Sequence, residues 1–216
     1  MATAQAIASR DVVEARLSVY RFLLAALDKP TPEQHAWMVS RGFRDALADL
    51  ADQFALAVPA GELAAADTAD HQARYIACFE VGLPTPPVVL LASHYNRREP
   101  VTAIIHEHLL FYRCFGAAPA VGNGEPADHA LDELAFLIYL DELLLAGRIE
   151  AESILRARRD FLRRHVSQWP GRAWAAAEEN GIAPVYVLLL GVLTAAIDQD
   201  LALAEAELAR MARERV

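Results

Sequence analysis

The stretch EPADHALDELAFLIYLDELLLAG, from Glu125 to Gly147, decides the fold class of this chain. Proline suits the first position of a helix, and carboxylates beside it are favoured by the helix dipole. The segment then runs without a breaker to Gly147, and glycine is the usual residue just past a helix end. We therefore predict a helix from Pro126 to about Ala146.

Similar signals recur on both sides of this segment, and few alternating strand patterns interrupt them. We predict an all-α, single-domain bundle of eight or nine helices covering residues 1–216. The other predicted helices are Ser9 to Leu27, a short one after Thr31, Arg44 to Leu56, Asp67 to Phe79, Pro100 to Phe115, Glu150 to Gln168, Gly171 to Asn180, and a long one from Pro184.

The segment Gly116 to Pro126, GAAPAVGNGEP, is rich in glycine and proline and is predicted to be a hinge loop. It would join an N-terminal part, residues 1–115, to a C-terminal part, residues 126–216, through residues 116–125. Such a hinge also permits an exchange of halves between protomers. The sequence is therefore compatible with a monomer or a hinge-swapped dimer.

The composition excludes several classes of protein. Of 216 residues, 43 are Ala and 29 are Leu, and 55% are apolar, so the chain is not disordered. A net charge of -9 argues against nucleic-acid binding. Charged residues interrupt the N-terminus, so we predict no secretory signal and a cytoplasmic location. The uncharged run Gly181 to Ile197 is shorter than a membrane span and is predicted to be a buried helix, without stable membrane insertion.

Searches for catalytic and metal-binding patterns give no strong candidate. Phosphate-loop, dinucleotide-binding, nucleophile-elbow and HExxH patterns are absent from the sequence. No catalytic or metal-ligating residue is therefore assigned. Two alternatives remain open. The first is a helical metal-binding protein whose histidines converge in space, and the second is a non-catalytic regulatory scaffold. The histidines concerned are His94, His106, His108 and His129.

The carboxylates at the start of the predicted helix form a candidate binding site. Asp128 and Asp132 are four residues apart, so the like charges repel each other on one helix face. With Glu125 they could bind a cationic segment, since arginine pairs bidentately with carboxylates. His129 would be a hydrogen-bonding or pH-sensitive member of this site.

Together these segments resemble the TorD/DmsD/NarJ family of redox-enzyme maturation chaperones. Glu125 to His129 and the Glu133–Leu137 segment match the family's E-P-x-D-H and E-L-x-x-L elements. The run Tyr75 to Gly82, the proline-rich segment after it and Ser93-His94-Tyr95 are similar to a second family motif. Phe161, His165 and Trp169, spaced four apart, resemble the family's F-x-x-x-H-x-x-x-W helix.

The resemblance implies an all-helical chaperone that is not an enzyme and holds no cofactor itself. Its partner would be the catalytic subunit of a molybdoenzyme of the DMSO reductase class, bound through its N-terminal or twin-arginine segment. The chaperone would hold this client until the molybdopterin guanine dinucleotide cofactor is inserted. The client's cations would meet Glu125, Asp128, His129 and Asp132, and its apolar face would lie in a groove lined by Tyr75, Phe79, Leu83 and Tyr95. Ser93 and His94 complete the predicted client-binding set.

Overall fold

A computed structural model of the protein describes residues 10–59, 63–118 and 126–214. Over these residues it contains ten α-helices, one short 3-10 helix and no strand; an isolated bridge joins Leu91 to His129. The helices are α1 (Arg10–Ala26), α2 (Pro32–Met38), α3 (Arg41–Gln53), α4 (Thr68–Phe79), α5 (Ala92–Tyr95), α6 (Val101–Cys114), α7 (Ala130–Ala146), α8 (Ala151–Arg164), α9 (Pro170–Glu179) and α10 (Pro184–Arg213).

The all-α prediction is confirmed, and most helix ends lie where the sequence signals placed them. The Thr31 side chain caps α2 by accepting the Gln34 N–H, and Gly147 ends α7 in the left-handed region at φ 62°. The single turn α5 was not predicted, because it lies in a connection whose prolines indicated irregular structure. The predicted hinge falls mostly on residues 119–125, which lie outside the described residues.

Three predicted helices have different bounds. Helix α3 spans Arg41–Gln53 and not Arg44 to Leu56, because the Ser40 side chain caps it by accepting the Phe43 N–H. Helix α7 begins at Ala130 and not at Pro126, because the backbone N–H of His129 closes a turn on the Pro126 carbonyl at 3.0 Å. Helix α8 ends at Arg164, and Val166–Gln168 form a 3-10 turn. The stripe of Phe161, His165 and Trp169 therefore does not lie on one helix: His165 follows α8 and Trp169 precedes α9.

The chain forms two compact units. The first comprises Met1–Phe22, Leu91–Gln168 and Ile197–Val216, and the second comprises Leu23–Leu90 and Trp169–Ala196. The second unit has an aromatic core in which the rings of Tyr75 and Phe79 each contact the ring of Tyr186, with centroids 6.1 and 5.0 Å apart. By length and composition alone, helix α10 could cross a membrane. Of its most apolar 18-residue stretch, however, 56% is buried inside the protein.

A buried ionic network crosses the first unit. Arg158 donates to both carboxylate oxygens of Asp200, at 2.6 to 3.0 Å, and its guanidinium lies 3.1 Å from Asp141. Arg16 donates to the same two aspartates, and the Tyr20 hydroxyl donates to Asp200 at 2.7 Å. We call these five residues the arginine network. They connect α1, α7, α8 and α10, so they hold the helices that carry the site described next.

Candidate functional site

The site is centred on the start of α7 in the first unit. His129 is the N-cap residue, and its Nδ1 accepts the backbone N–H of Leu131 at 3.3 Å. The isolated bridge to Leu91 fixes the chain just before α5 against this N-cap. The structure thus holds the start of α5, which carries Ser93, His94 and Tyr95, against the residues just before α7.

Asp128 has a structural role in this arrangement. Its side chain is fully buried, and its Oδ2 accepts the backbone N–H of Ser93 at 2.9 Å. Its carbonyl accepts the N–H of Ala92 at 3.0 Å, so one residue satisfies two donors of the first turn of α5. The carboxylate holds α5 in place and is not presented to an incoming ligand. This differs from the prediction, which placed Asp128 in the first turn of an exposed helix start.

Of the predicted carboxylates that the structure describes, Asp132 is the one that lines a cavity. The cavity has a volume of about 300 Å³ and lies between the end of α6 and the first turns of α7. We call it the α6–α7 pocket. Its lining residues are Tyr112, Gly116, Ala117, Ala118, Asp132, Ala135, Phe136 and Tyr139. Aromatic rings and small side chains therefore surround one acidic group.

The tyrosine hydroxyls of the α6–α7 pocket are held by the protein itself. The Tyr112 hydroxyl donates to the Ala127 carbonyl at 2.8 Å, and that of Tyr139 donates to the Phe115 carbonyl at 3.0 Å. Burial, followed by the negative charge of Glu133, raises the pKa of Tyr112. Both rings are thus fixed walls of the pocket, and Asp132 is its acidic group.

His108 and His165 form a buried histidine pair, and His108 contacts Tyr112 of the pocket. The sequence analysis did not identify this pair as a functional feature. His108 Nδ1 donates to the Ile104 carbonyl at 2.8 Å, because a carbonyl can only accept. Its Nε2 lies 2.7 Å from Glu133, and both side chains are fully buried. Burial lowers the pKa of His108, but the hydrogen bond and charge of Glu133 outweigh it, so the net shift is upward.

His165 is the second member of this pair, with its ring centroid 4.1 Å from that of His108. Burial, and then the positive charges of His108 and Arg164, lower the pKa of His165 to about 3. Its Nε2 lies 3.4 Å from a Glu107 oxygen without hydrogen-bond geometry, while Arg164 pairs with the same carboxylate. We call His108, Glu133, His165 and Glu107 the histidine cluster. Its members come from α6, from α7 and from the residue that follows α8, so no local spacing in the sequence could reveal it.

The remaining predicted residues belong to other parts of the molecule. Tyr75 and Phe79 are buried in the core of the second unit, so they do not line an open surface there. Leu83, in the same unit, is fully exposed, and its neighbour Val81 is 63% exposed. Glu125 lies outside the described residues.

The structure does not support the metal-binding alternative. No group of three or more His, Cys, Asp or Glu in the described ranges could hold a metal ion. Of the four histidines considered, His108 has both ring nitrogens engaged by Ile104 and Glu133. His129 uses its Nδ1 as a helix cap.

Comparison with known families decides the affiliation of the chain. The profile of the family described as nitrate reductase delta subunit matches residues 38–175. The chain belongs to this family. The match begins at the end of α2, includes the whole α6–α7 pocket and ends in α9. The resemblance noted from the sequence motifs is therefore confirmed.

Individual similar proteins extend the comparison beyond this family profile. A perchlorate reductase assembly chaperone from Dechloromonas aromatica is 26% identical over 203 residues, covering 87% of this chain and 88% of the relative. Two more, for selenate reductase in Thauera selenatis and chlorate reductase in Ideonella dechloratans, are 34% and 32% identical over 101 residues, 45% of this chain and 52% of each relative. These relatives are chaperones, which confirms the prediction of a non-catalytic protein. No solved structure matches the chain significantly.

Proposed function

We propose that this protein is an assembly chaperone for the catalytic subunit of a molybdoenzyme of the DMSO reductase class. Membership of the nitrate reductase delta subunit family supports this proposal, as do relatives that assist the assembly of three oxyanion reductases. The chaperone binds the N-terminal segment of the apo subunit in the cytoplasm. It keeps the subunit competent for insertion of the molybdopterin guanine dinucleotide before assembly or twin-arginine export.

The α6–α7 pocket is the observation that carries the binding part of the proposal. Fixed rings of Tyr112, Phe136 and Tyr139 offer faces to a flat cation, and Asp132 offers it a carboxylate. A guanidinium is the side-chain group that uses both features, because it stacks on aromatic rings and pairs bidentately with carboxylates. An arginine of the client segment is therefore proposed to enter this pocket.

The segment around the pocket would contact the rest of the client peptide. Ser93 is half-buried and His94 is exposed on α5, which Asp128 and the Leu91–His129 bridge hold against the start of α7, so they are proposed to supply polar contacts to the rest of the peptide. Leu83 offers an exposed apolar side chain in the second unit. Asp128 contributes by holding α5 against α7, and its substitution would disturb the site without removing a direct contact.

A pocket-filling substitution tests this function in the host cell. Ala135 is exposed on α7 and lines the pocket, so Ala135→Phe should block it with little effect on the core. The matched control is Ala175→Phe at an exposed position of α9. The chromosomal gene is deleted and complemented with each variant, and the molybdenum content of the purified reductase is measured.

The two variants should then differ clearly. Ala175→Phe should restore the molybdenum content of the reductase, whereas Ala135→Phe at the same protein level should leave most of it without cofactor. Full molybdenum content in the deletion strain itself would refute the chaperone proposal. Equal restoration by both variants would refute the α6–α7 pocket as the client site.

A further inference from the structure

A second and larger cleft in the first unit has a different chemical character. It lies between α8 and the last turns of α10 and has a volume of about 640 Å³, within the range of ligand-binding clefts. Its lining residues are Glu152, Arg156, Arg159, Arg163, Glu205, Leu208, Ala209 and Ala212. We call it the α8–α10 groove. The proposed client site does not include any of these residues.

Three arginines form one wall of this groove. Arg156, Arg159 and Arg163 follow each other at intervals of three and four residues, so they lie on one face of α8 over about 10 Å. We call them the arginine stripe. This face is distinct from the buried one, which carries Arg158 of the arginine network. The stripe is a local cationic surface on a chain whose net charge is -9.

The intramolecular partners of the stripe differ in exposure: Arg156 donates at 2.6 and 3.0 Å to Glu152, whose side chain is 10% exposed, whereas the partners of Arg159 and Arg163 are partly exposed. Arg156 and Arg163 are more than half exposed, and the Arg163 guanidinium lies 3.7 Å from Glu205 across the groove. Arg159 pairs at 2.6 Å with the next residue in sequence, Asp160, which is also partly exposed. Ion pairs at such exposed sites contribute little to stability. The guanidinium groups of Arg159 and Arg163 can therefore exchange their partners for the carboxylates of another molecule at small cost, and the exposed Arg156 adds its charge beside them while it stays paired with Glu152.

The opposite wall of the groove, on α10, carries Glu205 and then a run of apolar and small side chains. Leu208 and Ala212 are four residues apart on α10, and Ala209 lies beside them. Small side chains let the backbone of an incoming helix approach closely. A helix that docks in such a groove places apolar residues on one wall and charged residues on the other.

We propose that the α8–α10 groove docks an acidic amphipathic helix of a partner protein. The carboxylates of this helix pair with the arginine stripe, and its apolar face packs on Leu208, Ala209 and Ala212. Glu152 and Glu205 also line the groove, so a polyphosphate or an anionic membrane would meet repulsion that a helix with spaced carboxylates avoids. The inference goes beyond the proposed client site, which receives a cation.

Fluorescence anisotropy with the full-length protein tests this proposal. The probe is an 18-residue amphipathic peptide with Glu at positions spaced to match the stripe and a Leu face beside them; a second peptide has Gln at those positions. The protein variants are wild type, a stripe variant and a control variant. The stripe variant carries Arg156→Gln, Arg159→Gln and Arg163→Gln, and the control carries Arg10→Gln, Arg21→Gln and Arg41→Gln, three exposed arginines that also hold one ion pair each.

The expected result is that wild type and control bind the Glu peptide, with affinity that falls as salt is added. The stripe variant should bind it at least tenfold more weakly, and the Gln peptide should bind weakly to all three. Ala135→Phe should bind the Glu peptide like wild type, which separates this groove from the client site. Equal binding by stripe variant and wild type would overturn the proposal, as would absence of Glu-peptide binding. Displacement of the peptide by polyphosphate or phosphatidylserine vesicles at lower concentration would also overturn it.

Discussion

The arginine network and the histidine cluster are both buried polar groups of the first unit, but their positive and negative charges are balanced differently. In the network, two guanidiniums face two carboxylates, and the Tyr20 hydroxyl completes the hydrogen bonding of Asp200. In the cluster, two imidazoles lie 4.1 Å apart, and only His108 has a hydrogen-bonded carboxylate.

The difference shows which buried group can respond to its surroundings. Burial raises the pKa of Asp200, but Arg158 and Arg16 outweigh it and the net shift is downward, so the network keeps its charges near neutral pH. His165, with its pKa lowered to about 3, stays neutral because burial, and then the positive charges of His108 and Arg164, disfavour its protonation. The network therefore fixes the helices at any ordinary pH, and the cluster makes the stability of the α6–α7 region depend on pH.

The largest effect is expected from breaking the network. Asp200→Ala leaves Arg158 buried with Asp141 as its remaining close carboxylate, and loss of one partner of a buried ion pair costs about 3–5 kcal/mol. The free energy of unfolding in urea measures this change. The exposed Glu142, which pairs with Arg21, provides the matched control, and Glu142→Ala should cost at most about 1 kcal/mol. Similar losses for both variants would contradict the distinction between buried and exposed pairs.

A pH-dependent loss of stability should identify the cluster. His165 is neutral in the folded protein but takes up a proton in the unfolded chain below its ordinary pKa of about 6.5. Its contribution to stability is thus present above pH 6.5 and is lost as the pH falls toward 3. Between pH 6.5 and 5 the loss should reach about 2 kcal/mol. His108 adds no slope in this window, because its pKa is raised and its contribution is already complete below pH 6.5.

The variant His165→Gln should lose this part of the pH dependence. The measurement is the difference in unfolding free energy between pH 6.5 and 5, which does not depend on the absolute stability of each variant. His106→Gln, at an exposed histidine of α6, is the control and should retain the wild-type slope. An unchanged slope in His165→Gln would show that the cluster does not titrate as described.

A smaller effect is expected where Asp128 joins α5 to α7. Asp128→Ala removes the acceptor for the Ser93 N–H, which is a net loss of about 1–2 kcal/mol for a cap of this kind. Urea unfolding should show this loss, and amide exchange at Ser93 should become faster. If neither changes, Asp128 does not hold α5, and a direct contact with the client becomes the better interpretation.

Much of the fold could be predicted from local signals, whereas most of the site could not. Thr31 and Gly147 act within a few residues of their own position, so their caps are readable from sequence. The burial of Asp128 depends on α5. His108 pairs with Glu133, which lies 25 residues further along the chain on another helix. Asp132 was predicted correctly to lie near the start of α7, but its aromatic pocket requires side chains from α6 as well.

The central claim is that the α6–α7 pocket receives an arginine of the client, and peptide binding tests it most directly. The probe is a synthetic peptide of the N-terminal segment of the catalytic subunit of the client reductase, titrated into purified protein by calorimetry. We predict that Ala175→Phe binds like wild type, whereas Ala135→Phe and a peptide with its arginines replaced by glutamine bind at least tenfold more weakly. Equal affinity of Ala135→Phe and Ala175→Phe for the unmodified peptide would contradict the account.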